Sequence, residues 1–149
     1  KKIKNKVFKK IDIKKKIDIE KLKDDSRRLV QFKKICKNKK ILDFGCGWGD
    51  FIVNLKNTKK KYAYEIRKEC ITHLKKNKIK IIKNLETNNE KFDIITMFHT
   101  LEHIPSQISC LKMLKNKLYP NGKIIIEVPH ANDVLISRTK LSKYLKFIF

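Results

Sequence analysis

The sequence lacks any long hydrophobic segment. No stretch approaches the about 20 consecutive apolar residues that a transmembrane helix needs. The basic start, KKIKNKVFKK, lacks the apolar core and the cleavage site of a signal peptide. We therefore expect no membrane span and no export. The four cysteines form no Cys-x-x-Cys pair, which argues against a disulfide or zinc framework and favours free thiols in the cytoplasm.

Acidic residues and arginine are also scarce. Lys and Arg total 38 against 15 Asp and Glu, which gives a net charge of +23, and only Arg27, Arg28, Arg67 and Arg138 are arginines. Such a charge could serve a nucleic acid or an anionic membrane surface. Phosphate and base recognition favours arginine, however, and the lysines are spread along the chain with abundant Ile and Asn, as AT-rich codons would produce. We therefore favour a compositional origin and keep nucleic acid as an open alternative.

Strand-like apolar runs alternate with helical segments along the chain. FDIITMF, Phe92–Phe98, is almost continuously apolar, as a strand buried on both faces requires. A turn, YPNG, precedes the last apolar run. Strands that alternate with helices are typical of a parallel sheet with crossover helices. We therefore predict an α/β fold with a doubly wound, Rossmann-like, mostly parallel sheet, whose strands are KILDF, KYAYEI, KIKII, FDIITMF and KIIIEV.

A basic helical segment precedes this sheet. Leu29, Phe32 and Cys36 recur at helical spacing and predict the apolar face of a helix. Asp24–Ser26 supplies the acids and the cap expected where that helix starts. The segment is therefore predicted to be a helical addition to the sheet.

The stretch ILDFGCGWGDF carries three glycines at alternate positions, Gly45, Gly47 and Gly49. Between a strand and a helix, such glycines let backbone N–H groups approach a ligand, and the helix N-terminus favours a negative group. A dinucleotide loop has the spacing GxGxxG. Here the spacing is GxGxG, and Trp48 and Asp50 stand where a diphosphate would lie. The loop therefore argues against a dinucleotide.

Two acids accompany the loop. Asp43 lies in the preceding strand and presents an anion to the pocket, which suits a ligand with an ammonium or sulfonium group. Glu65 closes a strand 20 residues after Gly45, where a carboxylate can hydrogen-bond both hydroxyls of a ribose.

These motifs together resemble those of the class I S-adenosylmethionine-dependent methyltransferases. ILDFGCGWGDF is similar to the first motif of that family, FDIITMFHTLEHIP to its fourth strand and following loop, and LKNKLYPNGKIIIEVP to its fifth strand. The resemblance covers roughly residues 41–133 in the correct order. FHTLEH and EVPHAND resemble enzymes that methylate sugars, nucleotide-sugars or other small molecules, often in bacterial surface-glycan pathways.

The resemblance implies S-adenosyl-L-methionine as the cofactor and assigns roles to individual residues. The glycine loop would line the methionine part, Glu65 would hold the ribose, and a residue after the third strand would lie near the adenine. The end of the fourth strand would lie beside the cofactor. The implied cofactor-binding residues are Asp43, Gly45, Cys46, Gly47, Gly49, Glu65, Asn84, Phe98 and His99.

The segment HTLEH places His99, Glu102 and His103 on one face if it is helical. One interpretation is catalytic: a histidine or Glu102 removes a proton from an acceptor hydroxyl. A second is a divalent metal site, because small-RNA 2′-O-methyltransferases have a similar Glu-x-x-Glu-His and a later His, for which His130 is a candidate. A third is that Glu102 and His103 only brace the loop. We favour catalysis on a small-molecule acceptor, with no metal, and keep the metal-dependent RNA methyltransferase as an alternative.

The chain ends on an apolar segment, KFIF. The family normally adds two strands after the fifth, and residues 131–149 contain no convincing candidates for them. We therefore expect a C-terminally incomplete methyltransferase, which could bind the cofactor without catalysing transfer. The predicted divisions are a basic helical N-terminal extension at residues 1–38, a methyltransferase core at 39–133 and an amphipathic tail at 134–149.

Overall fold

The computed structural model describes residues 23–129. These residues form five strands and four helices, with one short 3₁₀ turn before the last helix. Strands and helices alternate, except that the fourth strand follows the third with no helix between them. The elements are α1 (residues 23–36), β1 (Lys40–Phe44), α2 (Asp50–Asn54), β2 (Lys60–Tyr64), α3 (Lys68–Lys76), β3 (Lys80–Ile81), β4 (Phe92–Phe98), the 3₁₀ turn (Leu101–His103), α4 (Gln107–Lys115) and β5 (Leu118–Glu127).

All neighbouring strands of the sheet are parallel, in the order β3-β2-β1-β4-β5. The chain therefore builds outward from β1 to β3, crosses back, and builds outward again from β4 to β5. The direction of winding reverses between β1 and β4, and ligands of open α/β sheets bind at the carboxyl ends of the strands at such a reversal. The predicted doubly wound α/β fold is confirmed.

Both faces of the sheet are buried, which explains the continuous apolar runs. Successive side chains of a strand point to opposite faces, and Ile41 and Leu42 are both fully buried in different clusters. Ile41 packs with Cys36 of α1 and with side chains of α2 and α3. Leu42 packs with α4, which contributes Leu114. Helix α1, predicted as a helical addition to the sheet, therefore packs into the core.

The fifth strand differs from the prediction. YPNG was expected to be a turn before the strand, but β5 runs through it from Leu118. Leu118 pairs with Phe92 and Lys123 with Ile94, so the register shifts between these pairs. Asn121 adopts a positive φ of 65°. The turn residues therefore form an irregularity inside the strand, which keeps its pairing on both sides.

Other predictions are corrected or lie outside the described residues. Asp24–Ser26 does not cap α1, because residue 23 is already helical. The predicted tail at 134–149, the helical segment before residue 23, and His130 lie outside residues 23–129. The four cysteines are free thiols. No helix of the described part is long and apolar enough to cross a membrane.

The first prediction concerns α4. Leu114 is fully buried and Ile108 is 68% exposed on the same helix. Leu114→Ala should lower the free energy of unfolding by about 2–5 kcal/mol, because it leaves a cavity in the core. Ile108→Ala should change it by less than about 0.5 kcal/mol. Urea denaturation measures both, and equal losses would contradict the packing of α4 described here.

Candidate cofactor-binding site

Two cavities open at the carboxyl ends of the strands, on either side of the glycine loop. The larger, of about 700 Å³, is lined by Glu65 and by side chains of α4 such as Met113. The smaller, of about 430 Å³, is lined by Asp43, Cys46 and Phe98, among others. Gly45, Arg67 and His99 line both. The two cavities therefore meet at the reversal of the sheet.

The glycine loop is held in a conformation that side chains rarely adopt. Gly45 has φ +70°, and a Cβ there would lie 2.2 Å from Cγ2 of Thr100. Thr100 also donates a hydrogen bond from Oγ1 to the Gly45 carbonyl, at 3.2 Å. Gly49 has φ +76°, and a Cβ there would lie 2.4 Å from Cδ2 of Leu74. Gly45 thus keeps the backbone against the cavities, whereas Gly49, which lines neither cavity, allows α2 to pack on α3.

The Glu65 carboxylate joins the end of β2 to the glycine loop. Its Oε2 accepts a hydrogen bond from the Gly47 N–H at 2.7 Å, and its Oε1 accepts from the N–H groups of Ile66 and Arg67 at 2.9 and 3.0 Å. Burial alone would raise the pKa of Glu65, but the hydrogen bonds from Arg67 and the backbone outweigh it and lower the pKa. Glu65 is therefore a fixed anion between the cavities.

The Arg67 side chain covers the same carboxylate. Its Nε and Nη2 lie 3.2 and 3.3 Å from the two Glu65 oxygens. A Cβ on Gly47 would lie 2.8 Å from Nη2. Since a carboxylate has about four lone-pair sites, two ribose hydroxyls could bond Glu65 only if the guanidinium moved. The side chain is 52% exposed and has solvent to move into.

Asp43 lies opposite Thr96 in the register of β1 and β4, and the Thr96 hydroxyl donates a hydrogen bond to its Oδ1 at 2.8 Å. Burial raises the pKa of Asp43 to about 7, and the nearby Asp25 and Glu65 also raise it. The Thr96 hydrogen bond and Arg28 act in the opposite direction. Burial therefore opposes the anion predicted at this position, and near neutral pH the carboxyl is balanced between its two forms.

The segment HTLEH is helical only over Leu101–His103, so the condition for one shared face is not met. His99 has a φ of +49° and lies before the 3₁₀ turn that contains Glu102 and His103. The His99 ring nevertheless lies between two acids: Nδ1 is 3.7 Å from Glu102 Oε1, and Nε2 is 3.3 Å from Glu127 Oε1. Oε2 of Glu102 is buried and has no hydrogen-bond partner among residues 23–129. His103 is exposed and lines the larger cavity.

A buried ion-pair network, missed in the sequence, supports this histidine. Arg28 of α1 is 5% exposed; its Nη1 donates to Asp25 Oδ1 at 2.8 Å, and its Nε donates to Glu127 Oε1 at 3.0 Å. Its guanidinium lies 4.8 Å from the centre of the Phe98 ring. The i, i+3 spacing of Asp25 and Arg28 was the available signal. Helix α1 therefore contributes to the site.

One predicted cofactor-binding residue, and the metal ligands of the alternative interpretation, are not found at the cavities. Asn84 lines neither cavity; its Oδ1 accepts hydrogen bonds from the N–H groups of Glu86 and Thr87, as in an Asx turn. Glu86, two residues later, lines the larger cavity instead. Within residues 23–129, no three His, Cys, Asp or Glu side chains are arranged to hold a metal ion.

The second prediction follows from the buried Asp43 carboxyl. Because its pKa is raised from 3.8 to about 7, folding favours the protonated form, and stability is lost as the pH rises from about 4 to about 7. The free energy of unfolding of Asp43→Asn should therefore increase relative to that of the wild type as the pH rises through this range. Above this range the difference should stay constant. Urea denaturation at a series of pH values measures the difference, with Asp24→Asn as the control. A margin independent of pH would contradict the assignment.

Comparison with known proteins identifies the family. A profile described as a methyltransferase domain matches residues 15–147. No curated protein matches the chain significantly.

Three solved structures share the fold. DesVI of Streptomyces venezuelae has 14% identity and a TM-score of 0.66, over 83% of this chain and 58% of its own. A Thermotoga maritima S-adenosylmethionine-dependent methyltransferase, a possible histamine N-methyltransferase, has 21% identity and a TM-score of 0.63, over 80% and 58%. An amino pentose methyltransferase of Micromonospora echinaspora, solved with S-adenosylmethionine, has 14% identity and a TM-score of 0.58. The match covers 76% of this chain and 52% of that one. The chain thus spans little more than half of each structure. As its motifs predicted, it belongs to the S-adenosylmethionine-dependent methyltransferase family.

Proposed function

We propose that this chain binds S-adenosylmethionine and transfers a methyl group to a small-molecule acceptor. The observation that carries the proposal is the position of Glu65, which is hydrogen-bonded to the glycine loop where the two cavities meet. An acid at the end of the second strand suits the hydroxyls of a ribose. The cavities on either side provide separate space for a purine and for an amino acid.

The residues present fit this cofactor. In the proposed arrangement the larger cavity takes the adenosine and the smaller cavity takes the methionine part, beside Asp43, Cys46 and Phe98. A cationic ligand beside Asp43 would favour its ionised form. Ribose binding requires the Arg67 guanidinium to leave Glu65. When bound, the cofactor supplies an electrophilic methyl group on its sulfonium sulfur.

His99 is the proposed proton acceptor. With the ring proton on Nε2, which faces Glu127 Oε1 at 3.3 Å, Nδ1 carries the lone pair that accepts the proton. Glu102 Oε1 lies 3.7 Å from Nδ1 and can stabilise the ring once it is protonated. The ring lines both cavities, where it can reach an acceptor hydroxyl or amine. Methyl transfer otherwise needs in-line positioning of acceptor and sulfonium. Glu102 is proposed to position His99, and His103 to brace the loop.

The proposed acceptor is a sugar or nucleotide-sugar, methylated at a hydroxyl or carbon, as in surface-glycan biosynthesis. The motifs FHTLEH and EVPHAND support this class, and the amino pentose methyltransferase acts on a sugar. That enzyme and the possible histamine N-methyltransferase also make a sugar amine a reasonable acceptor to test. The free thiols suit a reducing compartment, and we propose a cytoplasmic location.

The other hypotheses make different predictions. A metal-dependent RNA methyltransferase needs a cluster of metal ligands, and residues 23–129 supply none. It therefore lacks a supporting observation in the described part of the chain. A domain that binds the cofactor without catalysis would bind S-adenosylhomocysteine normally and transfer no methyl group to any acceptor.

The third prediction concerns cofactor binding. Glu65→Ala should weaken binding of S-adenosylhomocysteine by at least about tenfold, because a charge-assisted hydrogen bond is worth roughly 1.5–3 kcal/mol. Glu69→Ala, which removes an exposed acid of α3, should bind like the wild type. Calorimetry measures both, and thermal melts without ligand show whether each variant folds. No heat and no thermal shift with the wild type would refute the proposed cofactor.

The fourth prediction separates catalysis from binding. His99→Ala should lower methyl transfer to a nucleotide-sugar acceptor by roughly 10²–10⁴-fold, the usual contribution of a general base. It should leave the affinity for S-adenosylhomocysteine within about threefold, since binding rests on the glycine loop and Glu65. The control is His73→Ala on α3. Transfer of radiolabelled methyl groups is the measurement, and full activity in His99→Ala would exclude His99 as the base.

A further inference from the structure

The lysines that are spread along the sequence meet at one edge of the sheet. Four segments connect a helix to the next strand: residues 37–39, 55–59, 77–79 and 116–117. They contain six lysines and no acid: Lys37, Lys39, Lys56, Lys59, Lys78 and Lys117. In a parallel sheet, these connections all lie at the amino ends of the strands. We call this the amino edge.

The opposite edge has a different charge. The segments that connect a strand to the next helix or 3₁₀ turn include residues 45–49 and 65–67. Their only cation is Arg67, and it is paired with Glu65. Glu127 closes β5 at the same edge, where Arg27 and Arg28 pair with it. A composition rich in lysine would supply both edges equally. One further connection, from β3 to β4, leads to the amino ends of the strands and carries Glu90, which pairs with Lys40. The lysines of the four helix-to-strand connections therefore outnumber the acids at the amino edge, and composition alone does not explain the contrast with the opposite edge.

Lysines of the amino edge and of α1 together form a groove between α1 and the segment after α2. A cavity of about 420 Å³ is lined there by Lys33, Lys34, Lys37 and Lys56. All four are exposed, and none pairs with an acid of residues 23–129. The walls are tied together, because the Asn38 N–H donates to the Asn57 carbonyl at 2.8 Å. The groove therefore presents fixed backbone and unneutralised ammonium groups.

We propose that the amino edge binds the phosphate backbone of a nucleic acid, without sequence specificity. Lysine is a flexible point charge that neutralises phosphates but lacks the planar fork of arginine for reading bases. Asparagine amides at residues 38 and 57 add hydrogen-bond donors beside the groove. The apolar residues of the same connections, Leu55 and Ile79, are buried and cannot enter a bilayer. The surface therefore fits a solvated polyanion better than a membrane.

This surface lies at the opposite end of the strands from Glu65 and the two cavities. A nucleic acid bound there would hold the protein in place and would not be the methyl acceptor. The inference is thus independent of the proposed cofactor and of methyl transfer. It also differs from the RNA methyltransferase hypothesis, in which RNA would bind at the carboxyl ends of the strands.

The fifth prediction compares two triple variants of equal net charge. Lys33→Gln, Lys37→Gln and Lys56→Gln remove charge from the groove, whereas Lys23→Gln, Lys68→Gln and Lys83→Gln remove exposed lysines elsewhere. Fluorescence anisotropy with a labelled, mixed-sequence single-stranded RNA, from about 50 to about 300 mM NaCl, measures affinity and its salt dependence. All proteins retain the lysine-rich residues 1–22, so the difference between variants reports the groove.

The groove variant should bind RNA at least about tenfold more weakly than the wild type. The slope of log affinity against log salt should fall by about 2, since each phosphate contact to a single strand contributes about 0.7. The other triple variant should retain most of the RNA affinity and most of its salt dependence. Equal losses in the two variants, or no binding by the wild type at about 50 mM NaCl, would overturn the proposal. So would binding to phosphatidylserine vesicles without binding to RNA.

Discussion

The Glu65 carboxylate is the interaction on which the arrangement of the site depends. It closes β2, accepts a hydrogen bond from the second glycine of the loop after β1, and holds the first residues before α3. Because β1 and β2 are parallel neighbours, one side chain can fix both of their carboxyl ends. The same hydrogen bonds keep Glu65 ionised despite burial. The anion that organises the loop is therefore also the group that the proposed ribose requires.

The Arg67 guanidinium occupies the Glu65 carboxylate in this structure. This guanidinium neutralises Glu65 and separates the two cavities. A ligand that bonds Glu65 must replace this charge-assisted contact with hydrogen bonds from its own hydroxyls. This replacement lowers the net affinity of the ligand. Asp43 behaves in a related way, since a cationic ligand would stabilise the ionised form that burial disfavours. Groups of the protein thus compensate the charges of Glu65 and Asp43, and a bound ligand would take the place of those groups.

The sequence predicted the elements whose signals are local. β1 and β4 lie where KILDF and FDIITMF placed them, because strands buried on both faces carry continuous apolar runs. One prediction failed where long-range pairing decides the structure. β5 continues through YPNG because β4 offers partners on both sides of the irregularity. The sequence predicted the helix α1 but not its contact with β5, since the pairing of Arg28 with Glu127, 99 positions later, has no local signal.

The distribution of lysines on the surface could not be predicted from the sequence either. Along the chain, lysines recur at every helix-to-strand connection, and a linear scan finds only an even distribution. A parallel sheet superimposes those connections, because every crossover returns the chain to the same edge. Some of these lysines stabilise the helices, because cations interact favourably with the carboxyl end of a helix. That effect falls off within the last turn and does not extend to Lys39 or Lys59, which lie beside the strands. The fold itself therefore concentrates the charge, so the lysines count as a surface and not merely as a composition.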